Sequence, residues 1–342
     1  MQTIHLDAVL ERLLRERTIS NVAVRVGRGE KILCERLLSS EDRTLTEHTL
    51  FDMASVTKIV ATTTLALIAT ERGMLSLSDP VSRFFPVPTD KRGMTVYHLL
   101  THTMGIGHKS LLKSGKDTES LVSYILSIPS DSPIGEAYQY SCPGFILLGK
   151  ILESCYGMPL DEATRRYVTE PLGMHSTCFL PDRTGDFVNS NRDPQAVGLV
   201  NDYNCRHLGG VCGNAGLFSS LSDMTRFVGF LRHHGAPIVS ENTFRAVLKN
   251  ETGHLSESRS IGYLYVDERY AQTGGLFKTG SIGHCGHTGQ SVFFDPASGL
   301  YVIILSDATV STVRKYGKER YSEVKDMRRD LHAAIAEDLA LI

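Results

Sequence analysis

The chain has 342 residues, of which 36 are basic and 38 acidic, and its formal net charge at pH 7 is -2. Hydrophobic residues make up 42% and charged residues 22%, which is typical of a globular protein with a sizeable core. The near balance of charge argues against a nucleic-acid partner. No stretch approaches the roughly 18 uninterrupted apolar residues that predict a membrane span.

The N-terminus and the cysteines indicate the compartment. The first ten residues lack the basic start and apolar run of a secretory signal, so we expect a cytoplasmic protein. The seven cysteines are scattered and include no C-x-x-C pair, which favours reduced thiols over a disulfide framework or a structural zinc site. Glycine motifs for nucleotides and the G-x-S-x-G elbow are also missing, and we expect no metal and no cofactor.

The first half of the chain predicts a helix, two strands and then further helices. Apolar spacing predicts a helix over residues 4–17, and alternating valines predict a strand over residues 22–26. A second strand near residues 32–37 follows a glycine turn. An apolar, threonine-rich stretch over residues 56–70 predicts a buried helix that ends before Gly73. Helix-like runs separated by proline and glycine then continue at residues 96–101, 119–127, 143–155 and 160–168.

The C-terminal part returns to strands. Two helices are predicted first, and a hairpin then joins Ser291–Phe294 to Tyr301–Leu305 before a closing helix; the three helices cover residues 222–233, 241–249 and 319–341. Sheet-forming residues thus lie at both ends of the chain. We therefore predict an α+β fold with a discontinuous sheet-containing lobe (residues 1-60 and 215-342) and a mostly helical lobe (residues 61-214), with the active site in the cleft between them.

A nucleophile is predicted by serine and lysine three residues apart, a spacing that brings the amine to the hydroxyl on one face of a helix. The chain contains this spacing in Ser55/Lys58, Ser110/Lys113 and Ser322/Lys325. Lys58 alone opens a long segment almost without charge, where burial would lower the pKa of its amine and free the lone pair. Ser55 is therefore the candidate nucleophile, and a capping serine beside a snorkelling lysine is the alternative.

Residues 51–58, FDMASVTK, resemble the first motif of class C type serine β-lactamases and of the related penicillin-binding proteins and esterases. Residues 98–106, 140–149 and 209–218 are similar to further stretches of that family, in the same order. The resemblance implies a β-lactamase/transpeptidase-like fold, an antiparallel sheet flanked by helices with an inserted mostly helical lobe. It also implies an acyl-enzyme on Ser55.

The resemblance also assigns the second and third motifs. Tyr140 matches the family's second-motif tyrosine, which shuttles protons with the lysine, and Tyr138 is interpreted as structural. Lys278, His284 and His287 compete for the third motif. We favour His284, because residues 283–296 match the corresponding run of the esterase-like relatives without a gap. In that register Gly286 and His287 border the substrate, and the backbone N–H of His287 joins that of Ser55 in the oxyanion hole.

Two cysteines depart from the family pattern. Cys142 stands where the second motif has asparagine, and Cys285 stands where the third motif has threonine. Both positions border the substrate in the family, and a thiol is a poorer hydrogen-bonding group there. We therefore predict an esterase-like serine hydrolase for a small-molecule acyl substrate. The alternatives are an acyltransferase, a β-lactamase or D-Ala-D-Ala peptidase, and a non-catalytic ligand-binding relative. The oligomeric state is left open.

Overall fold

The computed structural model describes residues 1–341. Its α-helices follow the predicted runs closely; they are α1 (Ile4–Arg15), α2 (Thr64–Glu71), α3 (Val96–Leu100), α4 (Thr118–Ser127), α5 (Cys142–Tyr156), α6 (Leu160–Thr164), α7 (Tyr203–His207), α8 (Leu221–Arg232), α9 (Glu241–Phe244), α10 (Ala308–Tyr316) and α11 (Tyr321–Leu339). Its strands are β1 (Asn21–Arg28), β2 (Lys31–Ser39), β3 (Phe51–Asp52), β4 (Cys178–Phe179), β5 (Leu217–Ser219), β6 (Leu264–Tyr265), β7 (Ile282–Cys285), β8 (Ser291–Phe294) and β9 (Leu300–Ser306).

The main sheet joins the two ends of the chain. Its strand order is β2-β1-β9-β8-β7-β6, and every pair of neighbours in it is antiparallel. The register sets Val24 opposite Ile304, which brings residues 280 positions apart in sequence into direct contact. The predicted hairpin is β8 and β9, and β1 pairs with β9 rather than lying at an edge. The fold is therefore α+β, as predicted.

Alternation along the strands divides the core between the two faces of this sheet. Val22, Val24 and Val26 of β1 pack in a cluster with apolar residues of α1 and α11. Ala23, on the other face, belongs to a larger cluster that includes residues of α2, α5 and α8. Because successive side chains of a strand point to opposite faces, one strand serves both clusters.

The segment that precedes α2 differs from the predicted continuous helix. Ala54–Val56 forms a 3₁₀ turn, Lys58–Thr63 forms a π-helical turn, and regular α-helix begins only at Thr64. The hydroxyl of Thr62 donates a hydrogen bond to the carbonyl of Gly213 (2.7 Å), outside the helix. Such π-helical turns are frequent at functional sites.

Two other helix predictions were imprecise, and α10 was not predicted. The run at 160–168 is α6 followed by a π-helical turn over Arg165–Thr169, and the run at 241–249 is α9 followed by a 3₁₀ turn over Arg245–Leu248. The closing helix is α11, and α10 before it escaped prediction. The sequence of α10, ATVSTVRKY, is rich in β-branched residues, which have low helix propensity.

A small sheet supports the candidate nucleophile. Its order is β3-β5-β4, with Asp52 opposite Phe218. The chain leaves β3 directly into the turn that carries Ser55, and the amide of Met53 donates to the carbonyl of Leu217 (2.9 Å). Residues about 160 positions apart thereby position the start of this turn.

Among residues 1–341, no helix combines the length and the apolar character needed to cross a bilayer. The cytoplasmic location stays a prediction.

Candidate active site

A cavity of about 750 Å³ opens where the small sheet, the start of α5 and the end of β7 meet. Most of the predicted site residues line it, namely Ser55, Tyr140, Cys142, His284, Cys285 and His287. Its volume suits a small-molecule ligand. Tyr138, Ser110 and Lys325 also reach this cavity, so the two rejected Ser-x-x-Lys pairs each contribute one residue to its wall.

The amine of Lys58 lies at the centre of the site and is fully buried. Its Nζ is 3.1 Å from Ser55 Oγ, 2.9 Å from the carbonyl oxygen of Asn214 and 3.6 Å from Cys142 Sγ. An ammonium group has three N–H donors, and these three atoms can accept one each. When the amine is neutral, its lone pair can instead accept the hydroxyl proton of Ser55.

The direction in which the pKa of Lys58 is shifted differs from the one expected from the sequence. Burial by itself lowers the pKa of this amine, as predicted, but the negative charges available to Cys142 and Tyr140 raise it, and the net direction is upward. The prediction that burial lowers the pKa of Lys58 overall was therefore wrong. The sequence pattern described the apolar segment after Lys58 but not the groups that face it from distant parts of the chain.

Ser55 follows a strained backbone position. Ala54 has a φ of 44°, in the left-handed region that residues with a β-carbon rarely adopt. The carboxylate of Asp52 holds this turn, because its Oδ1 accepts the amide of Ala54 (2.8 Å) and its Oδ2 accepts the amide of Asn201 (2.6 Å). Burial raises the pKa of Asp52 to about 6, while the two amides oppose that rise.

The backbone of Asp52 links the nucleophile to the third motif. Its carbonyl oxygen accepts hydrogen bonds from the hydroxyl of Thr288 (2.9 Å) and from Nε2 of Gln290 (2.6 Å). Thr288 follows His287 directly, so one residue connects the turn of Ser55 to the turn after β7. Asp52 stood inside the first motif, but the sequence contained no signal for this role.

Tyr140 lies beside Lys58, with the amine 5.0 Å from the centre of its ring. Burial raises the pKa of the phenol, and the neighbouring charge of Lys58 opposes the rise without reversing it. Tyr138 is held differently, since its hydroxyl accepts a hydrogen bond from Nη2 of Arg259 (2.6 Å). Arg259 lines the cavity as well, and sequence reasoning missed it.

His284 enters the cavity from β7, with its ring 6.2 Å from that of Tyr140. Burial and the charges of Arg259 and Lys58 hold the pKa of this imidazole well below its ordinary value, so the ring is neutral at pH 7. Its Nδ1 is 2.8 Å from the carbonyl oxygen of Cys285, which can only accept. The proton is therefore on Nδ1, and within residues 1–341 the lone pair of Nε2 has no hydrogen-bond partner.

The two other third-motif candidates lie in different surroundings. Lys278 is exposed, and its amine donates to the carbonyl of Gly275 (3.2 Å) away from the cavity. His287 lines the cavity, but its side chain stacks on Tyr321 and lies 3.3 Å from a carboxylate oxygen of Glu319.

The peptide between Gly286 and His287 is held from behind. Nη2 of Arg328, a fully buried residue of α11, donates to the carbonyl of Gly286, and the amide of Gly289 donates to the same oxygen (3.1 Å). A trans peptide is planar, so the N–H of His287 points away from this carbonyl. Within the described residues, that N–H donates no hydrogen bond. Arg328 was not predicted, because α11 carries many charged residues and nothing in sequence distinguishes this one.

The two departing cysteines both line the cavity but have different neighbours. Cys142 begins α5, which Ser141 caps by accepting the amide of Gly144 (3.0 Å). The thiol of Cys285 is 3.3 Å from the hydroxyl of Tyr270. In residues 1–341, no group of three or more His, Cys, Asp and Glu side chains is arranged to hold a metal ion.

Comparison with known proteins gives consistent results. The model of the Beta-lactamase family matches residues 6–324. Esterase EstB of Burkholderia gladioli is 30% identical over 354 residues, which cover 88% of this chain and 89% of that protein. A beta-lactamase/D-alanine carboxypeptidase from Pseudomonas syringae has a similar structure, with a TM-score of 0.76 at 19% identity over 96% of this chain and 97% of that one. EstCE1, a hydrolase with promiscuous acyltransferase activity, gives a TM-score of 0.71 at 19% identity over 95% and 97% of the two chains.

Proposed function

Because the chain belongs to the Beta-lactamase family and is a serine hydrolase of that superfamily, we propose that it is an esterase-like enzyme working through an acyl-enzyme on Ser55. One observation carries this proposal: the amine of Lys58 lies 3.1 Å from Ser55 Oγ, and Ser55 lines a cavity of about 750 Å³. A serine hydroxyl is a weak nucleophile until a base removes its proton, and an amine at this distance can do so.

Acylation begins when Ser55 Oγ attacks the carbonyl carbon of the substrate and passes its hydroxyl proton to the amine of Lys58. Tyr140 acts together with Lys58 in proton transfer and gives a proton to the leaving group. Neutral His284 assists, because the lone pair on its Nε2 can accept a hydrogen bond from a phenol. Water then attacks the acyl-enzyme, and the same groups return the proton to Ser55.

The developing oxyanion needs donors that are already oriented. We assign this role to the backbone N–H groups of Ser55 and His287. The contact of Arg328 with the carbonyl of Gly286 supports the assignment, because it orients the peptide and polarises its N–H toward the cavity. The strain at Ala54 supports it from the other side, since it presents the turn of Ser55 to the same space.

The chemistry around Cys142 and Cys285 favours esters over β-lactams and D-Ala-D-Ala peptides. An asparagine side chain at position 142 would offer an amide to a peptide-like substrate, whereas the thiol lies against Lys58. Cys285 contacts Tyr270 and offers only a weak donor. An ester lacks the amide N–H that those groups would recognise, so it loses less by their replacement.

A fluorophosphonate probe with intact-mass readout tests the proposal. We expect one adduct on the wild-type enzyme and none on Ser55→Ala, and we expect hydrolysis of p-nitrophenyl acetate to disappear with that substitution. A wild-type chain without adduct would instead favour a non-catalytic ligand-binding relative. Comparing p-nitrophenyl esters with nitrocefin separates an esterase from a β-lactamase, and adding an acceptor alcohol detects acyl transfer.

We also propose that the two lobes follow the boundaries expected from the sequence, residues 1-60 with 215-342 and residues 61-214. The strand order of the main sheet supports this division, because its strands come only from the first and last parts of the described chain. The cavity then lies between Ser55 and His284 on one side and Tyr140 and Cys142 on the other.

A further inference from the structure

Cys142 takes part in the site through its contact with Lys58. Its side chain is 3% exposed, and its Sγ is 3.6 Å from Lys58 Nζ. The same nitrogen lies 3.1 Å from Ser55 Oγ. A single amine therefore contacts both the candidate nucleophile and a thiol, and the thiol can exchange a proton with it.

The groups around Cys142 favour its ionised form. Burial raises the pKa of this thiol, but the charge of Lys58 and the imidazole of His108 lower it, and the net direction is downward. Asp202 and Tyr140 also face the thiol, and negative charge on either opposes its ionisation. As the first residue of the fifteen-residue helix α5, Cys142 also lies at the positive end of a helix dipole.

These contacts reveal a gap in the acylation step described above. Burial lowers the pKa of Lys58, but the negative charges available to Cys142 and Tyr140 raise it overall, so Lys58 can accept the proton of Ser55 only as it gives up one of its own. An ammonium beside a phenol has no free lone pair for the hydroxyl proton. The site needs one more group that can receive a proton from Lys58.

We propose that Cys142 is that group, a thiolate that accepts a proton from Lys58 while Lys58 accepts the proton of Ser55. The proposal rests on the proposed function. The bond from Ser55 Oγ to the carbonyl carbon forms, and the carbonyl π electrons move to oxygen. The hydroxyl proton goes to Nζ, and one proton of Nζ goes to Sγ. When the leaving group departs, Tyr140 gives it a proton and recovers one from Lys58, which recovers one from Cys142, so the resting ion pair is restored.

The replacement of asparagine by cysteine acquires a chemical meaning in this scheme. An asparagine amide can hold the lysine by a hydrogen bond but does not take up a proton at neutral pH. A thiol beside an ammonium can do both. The chain therefore departs from its family at a position where the substituted residue adds a proton acceptor.

The first test measures the ion pair without using activity. In Ser55→Ala, which keeps both Lys58 and Cys142, the pH dependence of iodoacetamide alkylation at Cys142 and of thiolate ultraviolet absorbance gives the ionisation midpoint. We expect it below the ordinary thiol value of about 8.5. In Ser55→Ala combined with Lys58→Met, we expect a midpoint at higher pH. Equal midpoints in the two variants would overturn the proposal.

The second test uses kinetics with p-nitrophenyl acetate. We expect Cys142→Ser to lose about 100-fold in kcat/KM, the size of a typical acid–base contribution. The wild-type profile should fall as pH drops through the thiolate midpoint, and that limb should be missing in Cys142→Ser. Cys155→Ser, on the same helix, should keep the wild-type profile. Full activity and an unchanged profile in Cys142→Asn would show a merely structural residue and overturn the proposal.

Different results would refute the proposed function and the role of the Cys142 thiolate. If the wild-type chain takes no fluorophosphonate adduct on Ser55, the proposed function fails, whereas the titration of Cys142 still reports on the ion pair. If Ser55 is labelled and esters are hydrolysed but the midpoint of Cys142 ignores Lys58, only the role of the thiolate fails.

Discussion

Asp52 and Asp307 are buried carboxylates that each accept backbone amides, but they lie in regions of different regularity. Asp307 follows β9 and accepts the amides of Ser20 (2.9 Å) and Asn21 (3.0 Å) at the end of the main sheet. Asp52 holds the left-handed turn at Ala54. Long strand ladders surround Asp307, whereas Asp52 belongs to a strand of only two residues. We infer that the main sheet supplies stability and that the segment of Ser55 depends on side-chain contacts for its shape.

The largest expected effect concerns the nucleophile itself. Ser55→Ala should reduce kcat/KM for p-nitrophenyl acetate by about 10⁴-fold or more, because the acyl-enzyme can no longer form. The melting temperature should hardly change. Ser322→Ala removes an exposed serine with the same spacing to a lysine and should keep full activity. Equal rates in the two variants would refute the assignment of Ser55.

A core substitution in the main sheet should lower stability and leave the activity of the folded enzyme unchanged. Ile304→Ala removes a fully buried side chain opposite Val24 and should lower the free energy of unfolding by about 2–5 kcal/mol. Urea denaturation measures this loss. The folded fraction should keep its kcat/KM. If the specific activity fell as steeply as the free energy of unfolding, the main sheet and the segment of Ser55 would not have separate roles.

The two carboxylates offer a matched comparison. Asp52→Ala should reduce kcat/KM by about 100-fold, because releasing the Ala54 amide displaces Ser55 from its attacking position. Asp307→Ala also leaves buried amides without acceptors, but it should lower the melting temperature while the folded enzyme keeps its activity. Similar activity losses in both variants would mean that Asp52 has no special link to the nucleophile.

Arg328 provides a test of the peptide between Gly286 and His287. As a positioning residue for the peptide before His287, it should contribute about 10-fold to kcat, with little change in KM. Arg328→Met measures the loss, and Arg328→Lys should recover part of it if a cation beside the Gly286 carbonyl is sufficient. A rise in KM at constant kcat would indicate contact with the substrate instead.

Asp52 also contributes a pH dependence to the stability of the fold. Its pKa in the folded protein, about 6, lies above the ordinary value of about 3.9, so the native state holds the proton more tightly than the unfolded state. The stability that this proton contributes is fully present below about pH 4 and is lost as pH rises toward 6. The stability difference between wild type and Asp52→Asn should therefore change over this interval and level off above it. A constant difference would contradict the raised pKa.

Local patterns predicted the regular elements well. Alternation identified β1 and the hairpin of β8 and β9, and apolar spacing identified α5 and α8. The failures occurred where local preference and tertiary contact disagree. α10 is helical despite its β-branched residues, and the π-helical turn at Lys58 departs from regular helix where Thr62 bonds to a distant carbonyl.

The sequence by itself determined the alternation of side chains along the strands, with a period of two. It also singled out Ser55 and Lys58 among three pairs of the same spacing, because Lys58 alone opens a long segment almost without charge and residues 51–58 resemble the first motif of the family. Only the tertiary structure decided the direction in which the pKa of Lys58 is shifted. Cys142 and Asn214 reach its amine from 84 and 156 residues away, and the pKa of a buried group depends on every charge and dipole near it in space. The motif therefore identified the candidate reacting pair, and the fold set the direction in which the pKa of its lysine is shifted.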